Sequence, residues 1–198
     1  MTAATASRPS FLRPWLLWTV GFLSFPIAGV AGTVVAGRVD NPLSALTAGL
    51  ITGAVVGAGQ SLTSSRRLQP LRWIIATAVG MGLGLLLGAA AVGYGTSLGD
   101  LAAMGALTGL ALGSAQALAM PAETRYRAAW AAAMPLLWAL GWTVTTLAGI
   151  DVDQQFTIFG ASGAFTFSAI SGVLLYALLT MRSATTEAFP STQIKDIA

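Results

Sequence analysis

Apolar residues in this chain neither alternate with polar ones, as in a half-buried strand, nor follow the single stripe of a surface helix. They come in long blocks. Six blocks stand out, at 14–37, 42–63, 70–94, 97–120, 126–149 and 157–181. Each is near the roughly 20 residues a helix needs to cross the hydrocarbon core of a bilayer. Short polar punctuation separates them, as in Asp40-Asn41-Pro42, Gly93-Tyr94-Gly95 and Asp151-Val152-Asp153. Links this short make neighbouring helices antiparallel. The pattern predicts an all-α, six-helix transmembrane bundle over 14–181, between a short N-terminal tail (1–13) and a polar C-terminal tail (182–198). The first block exceeds the roughly 7–15 apolar residues of a signal peptide, so it reads as a retained helix.

Composition agrees. The chain is 55% hydrophobic and 9% charged, where a soluble domain carries about 25% charged residues. The apolar surplus must face lipid. Cysteine and histidine are both absent. That excludes disulfides, thiolate zinc sites, histidine-ligated haem or pigment, and a histidine general base. The interiors of the blocks hold no Asp, Glu, Lys or Arg, the residues that proton relays and ion-coupled pumps place there. No Ser-His-Asp, HExxH or P-loop pattern occurs, so no enzyme activity is expected and no cofactor is predicted. An apolar ligand such as lipid, quinone or pigment needs no diagnostic residues and stays open.

The charges set an orientation. Arg8, Arg13, Arg66, Arg67, Arg72, Arg125, Arg127, Arg182 and Lys195 fall on one side of the alternating helices, and Arg38 alone on the other. The positive-inside rule makes the first side cytoplasmic, with both termini on it. An odd number of helices would destroy this asymmetry. Asp40, Asp100, Asp151 and Asp153 lie on the outer side. The net charge of +3 does not point to nucleic acid, because the arginines sit at membrane edges and form no continuous basic face. Trp15, Trp18, Trp73, Tyr126, Trp130 and Tyr176 fall near the inner edge, where interfacial anchors belong. Asp151 and Asp153 read as a solvated loop, since calcium takes six or more oxygen ligands.

An internal repeat is visible. At an offset of 56, Gly49, Thr52, Gly53, Gly57, Gln60 and Leu62 match Gly105, Thr108, Gly109, Gly113, Gln116 and Leu118. Gly160, Ala164, Ser168 and Ser171 fit the same positions more loosely. Each odd helix opens with a basic residue and a tryptophan: Arg13 with Trp15, Arg72 with Trp73, Arg127 with Trp130. Three tandem odd-then-even hairpins, related by an axis along the membrane normal, account for this. The even helices are then expected to form a glycine-faced inner set.

Three groups of residues are candidates for function. The rows Gly49/Gly53/Gly57, Gly80/Gly84/Gly88 and Gly105/Gly109/Gly113 are small-xxx-small faces, suited to packing within the chain or to docking a partner. Gln60 and Gln116 are the strongly polar side chains of the spans. They fit a hydrogen bond between helices or the lining of a polar vestibule. Arg66, Arg67 and Arg72 form the densest basic patch, a topology determinant and a candidate contact for anionic lipid. Pro26 and Pro135, inside spans, are expected to kink them.

The glycine-rich helix ending in Gly59-Gln60-Ser61-Leu62, running on to Arg66-Arg67, Trp73 and Gly80, resembles small bacterial polytopic membrane proteins. Those repeat a glycine-rich helix with a glutamine and a tryptophan-led helix. The resemblance implies a bacterial cytoplasmic membrane and no activity. Three two-helix repeats are also similar to mitochondrial carriers, but that family's Pro-x-acidic-x-x-basic signature is missing. Pro121, Glu123 and Arg125 have the wrong spacing, so its function is not carried over. The expected role is a non-catalytic accessory or scaffolding subunit of a membrane complex, in contact with the bilayer and with other membrane subunits. The alternative is a passive carrier or channel for a small neutral or lipid-like solute.

Overall fold

The computed structural model of the chain describes residues 11–121, 127–151 and 160–186, and among these it is helical with no strand. Among the described residues, six helices are long and apolar enough to cross a membrane. They are α1 (Leu12–Ala36), α2 (Pro42–Thr63), α3 (Pro70–Ala91), α4 (Leu98–Ala119), α5 (Arg127–Leu147) and α6 (Ala161–Thr186, with its apolar part at Ala161–Leu179). Arg8, Arg125, Tyr126, Asp153 and Lys195 lie outside the described residues.

Local chemistry sets the helix ends. Asn41 caps α2: its side chain accepts from the Ser44 N–H at 2.9 Å, and the Asn41 N–H donates to Ser44 Oγ at 3.3 Å. Ser97 and Asp100 form the same reciprocal box at α4, and the Gln69 side chain accepts from the Arg72 N–H at α3. Pro42 and Pro70 occupy first positions, where no N–H is needed. The α3 helix stops at Ala91, short of Tyr94, because Gly93 and Tyr94 both turn left-handed (φ 60° and 61°). Arg13, Arg72, Asp100 and Arg127 sit in the first turns of their helices, at the membrane edge. The rest of each apolar span, which in α6 ends at Leu179 before Arg182, carries no Asp, Glu, Lys or Arg.

The two internal prolines behave differently. Pro26 has no N–H for the carbonyl of Phe22, and just before it α1 tightens into a 3-10 turn at Gly21–Leu23. Ser24 Oγ donates to the Gly21 carbonyl there at 2.7 Å. By contrast, α5 stays helical through Pro135. Pro135 deprives the Ala131 carbonyl of its helical donor, and α4 approaches that point so closely that a Cβ on Gly113 would lie 3.1 Å from it.

The helices pack as a closed ring in chain order, with α1 touching both α2 and α6. The α2–α3 and α4–α5 pairs are the most extensive, and α6 holds its two neighbours least extensively. The even helices therefore do not form an inner set. Each lies between two odd helices, and the glycine rows of α2 and α4 serve the odd helix that follows them. A Cβ at Gly49 or Gly53 would come within 2.6 Å of the Met81 or Thr77 carbonyl of α3, and one at Gly57 within 3.0 Å of Ile74 Cα. Gly80, Gly84 and Gly88 of α3 meet Leu112, Thr108 and Met104 of α4 in the same way. Gly105, Gly109 and Gly113 of α4 lie against Trp138, Met134 and Ala131 of α5. These small-residue faces bring backbone against backbone inside the chain, where dispersion contacts are densest.

Candidate functional site

The ring closes around a centre built by three indoles and two primary amides. Trp73 and Trp130 are each the fourth residue of their helix, and Gln60 and Gln116 are each fourth from the end of theirs. Antiparallel pairing brings them to one level, about one turn inside the basic end of the bundle. Trp73 Nε1 donates to Gln60 Oε1 at 3.0 Å, and Trp130 Nε1 to Gln116 Oε1 at 3.1 Å. The Gln116 amide nitrogen donates to Thr77 Oγ1 at 3.0 Å and to Gln60 Oε1 at 3.4 Å. The Thr77 hydroxyl in turn donates to the Trp73 carbonyl at 2.8 Å. One circuit thus ties α2, α3, α4 and α5 together. Gln60 is 4% exposed and Gln116 is fully buried, so both sit deeper than an interfacial glutamine would.

The other two helices join through a matching bond. Trp18 of α1 donates from Nε1 to Ser171 Oγ of α6 at 3.0 Å. Ser171, 55 residues after Gln116, takes the place on α6 that Gln60 and Gln116 hold on α2 and α4. A serine is too short to reach a neighbouring amide, and its hydroxyl turns back to the Ser168 carbonyl at 3.3 Å. The rings of Trp18, Trp73 and Trp130 then meet edge to face in a triangle, with centroids 6.0 to 6.4 Å apart. Such contacts suit the quadrupoles of the rings. All three indoles are buried, and they fill the centre at this level.

This corrects two expectations. Trp18, Trp73 and Trp130 are not interfacial anchors, because their N–H groups find amide and hydroxyl acceptors inside the bundle and their rings find one another. In α1 the residue equivalent to Trp73 and Trp130 is Trp18 rather than Trp15. Trp15 lies at the rim, where it donates to the Ala169 carbonyl at 2.9 Å and stacks near Phe11. Trp18 precedes Trp73 by nearly the repeat spacing, a signal that the arginine-led reading passed over. Thr77 was missed as well, since a threonine inside an apolar span gives no sign of its partner.

Replacing Gln116 with leucine removes the acceptor of Trp130 and the donor to Thr77. Unfolding in mixed micelles should then require about 1–2 kcal/mol less. Adding Trp130→Phe should cost little more, because the indole N–H it removes has already lost its partner. Full additivity of the two changes would show that the bond carries no energy.

The basic patch does not act as one unit. Arg66 and Arg72 are exposed. Arg67 is half-buried, with its guanidinium 5.3 Å from the centre of the Tyr176 ring of α6. The turn that carries it holds Ser65 and Arg66 in the left-handed region, at φ 55° and 62°. Among the described residues no group of acidic side chains could hold a metal ion.

A closed ring of six apolar helices, with Gln60, Gln116 and three indoles hydrogen-bonded at its centre, defines a multi-pass integral membrane protein in contact with the lipid bilayer. Comparison with protein-family models, with curated proteins and with solved structures finds no match to this chain.

Proposed function

We propose that this protein is a non-catalytic accessory or scaffolding subunit of a membrane complex. The observation that carries this reading is the self-contained centre. The Gln60 carbonyl oxygen and the Gln116 amide are taken up by Trp73, Trp130, Thr77 and each other. Groups engaged this way are poorly placed to bind a polar substrate or to act as acid and base. The indole triangle weighs against the alternative of passive passage, since a solute on the axis would have to displace three buried rings. Solubilisation from native membrane in mild detergent should recover stoichiometric partner proteins. A strictly lone chain, in detergent and in native membrane discs, would count against a subunit role.

For a bacterial cytoplasmic membrane, the location implied by the resemblance, the charge pattern supports placing both termini in the cytoplasm. Arg13, Arg66, Arg67, Arg72 and Arg127 share one end of the ring, while Asp40, Asp100 and Asp151 share the other. A periplasm-active phosphatase should be active when fused after Asp40 or Asp151 and inactive when fused at the C-terminus. The opposite pattern would reverse the orientation.

A further inference from the structure

We propose that a cleft at the basic end, between α1, α2 and α6, holds the phosphate of an anionic phospholipid, with Arg67 as its cation. Trp18 and Leu175 form its apolar wall, and Thr63, Ser64, Arg67 and Tyr176 its polar mouth. The space is about 10 Å³, enough for one water-sized group. One phosphate oxygen fits inside, and the rest of the headgroup lies across the opening.

Three features favour this occupant. First, the walls follow the gradient of a lipid. Trp18 lies a turn deeper along α1 than Pro14 at the rim, while Arg67 belongs to the turn beyond the end of α2. Second, the guanidinium lies over the Tyr176 ring at 5.3 Å. A ring under an arginine orients it without consuming its N–H donors, and the fork stays available for two phosphate oxygens. Third, the charge there lacks a protein counterpart among the described residues, whose carboxylates (Asp40, Asp100 and Asp151) all lie at the opposite end. Arg66 and Arg72 add positive potential from exposed positions outside the cleft. The geometry thus selects Arg67 from the three arginines of the patch. The site also lies where α6 meets α1, one of the less extensive contacts of the ring, so a lipid bridging it would strengthen closure. The proposal stands whether or not the protein has partner subunits.

The test uses the full chain in discs of phosphatidylcholine, titrated with phosphatidylglycerol, with retained lipid counted by native mass spectrometry. The wild type should keep one phosphatidylglycerol in preference to phosphatidylcholine. Arg67→Gln should weaken that retention about fivefold, the worth of one arginine near an anionic surface. Arg66→Gln and Arg72→Gln should leave it within about twofold, as expected of charges screened outside the cleft. Near-ultraviolet circular dichroism of the tryptophans reports whether each variant is folded. Should Arg67→Gln fail that check, Arg67→Lys keeps the charge but loses the planar fork, and it should still lose the preference for phosphatidylglycerol. Unchanged retention in the folded Arg67 variant overturns the proposal, as does an equal loss in Arg66→Gln or Arg72→Gln. Inorganic phosphate that competes with phosphatidylglycerol at equal concentration would overturn the assignment to lipid.

Discussion

Trp73→Ala is expected to destabilise the folded bundle by about 3–5 kcal/mol, read as a shift of the unfolding midpoint in mixed micelles of mild detergent and dodecyl sulfate. Removing a buried indole leaves a void on the order of 100 Å³, and at ~24 cal/mol per Å³ the cavity alone costs about 2–3 kcal/mol. In a bilayer the unfolded helix still lies in lipid, so transfer from water contributes little. The loss is therefore one of contacts. Two edge-to-face contacts, with Trp18 and Trp130, go with the ring at about 0.5–1.5 kcal/mol each. Gln60 Oε1 loses the indole donor. Trp73→Phe keeps most of the volume and should cost only about 1 kcal/mol. Leu87→Ala on the same helix, with Leu87 61% exposed, should change stability by less than about 0.5 kcal/mol. If Leu87→Ala proved as damaging as Trp73→Ala, the indole triangle would not be the centre of the fold.

Gly109→Leu is expected to cost 3 kcal/mol or somewhat more, above the ~1–3 kcal/mol typical of overpacked cores. A Cβ at Gly109 would run into the Met134 carbonyl and come within 2.8 Å of Pro135 Cα. Both are backbone atoms, which cannot rotate aside as a side chain can, and the proline ring fixes the local path of α5. Gly109→Ala should show a smaller loss of the same sign. The neighbouring Leu110→Ala, at a position 54% exposed, should be nearly silent. This result also separates the two uses of a small-residue face. A packing face destabilises the lone chain at any concentration. A docking face would leave the dilute monomer unchanged and abolish only association.

The six spans, their alternation and the charge bias at their ends were all legible in the sequence. Block length and short links are geometric constraints that no packing detail can override. The starts of α2, α3 and α4 are closed by Asn41, Gln69 and Ser97, whose side chains supply the acceptors that first-turn N–H groups lack, a role seen only in the structure. The chemistry of the centre was half legible. Gln60 and Gln116 had to find partners, because an amide in an apolar interior is costly alone, but nothing in the spacing named those partners. The interfacial reading of Trp18, Trp73 and Trp130 failed for a related reason. An indole near a helix end has two good solutions, the headgroup layer and a buried acceptor, and the sequence does not rank them.

By itself, then, the sequence determined that this chain crosses the membrane in six antiparallel helices whose interiors carry no charge. Tertiary structure alone decided which face of each helix looks inward. In water a helix separates an apolar stripe from a polar one, so its pattern reveals its core face. In a bilayer lipid is as apolar as the core, and that contrast vanishes. Only packing could turn the three indoles toward one another and join each to a polar group on the even helix beside it. Packing also paired α6 with α1 to close the ring, so that Trp18 of the first helix completes with Ser171 of the last the arrangement that Trp73 and Trp130 make with their glutamines.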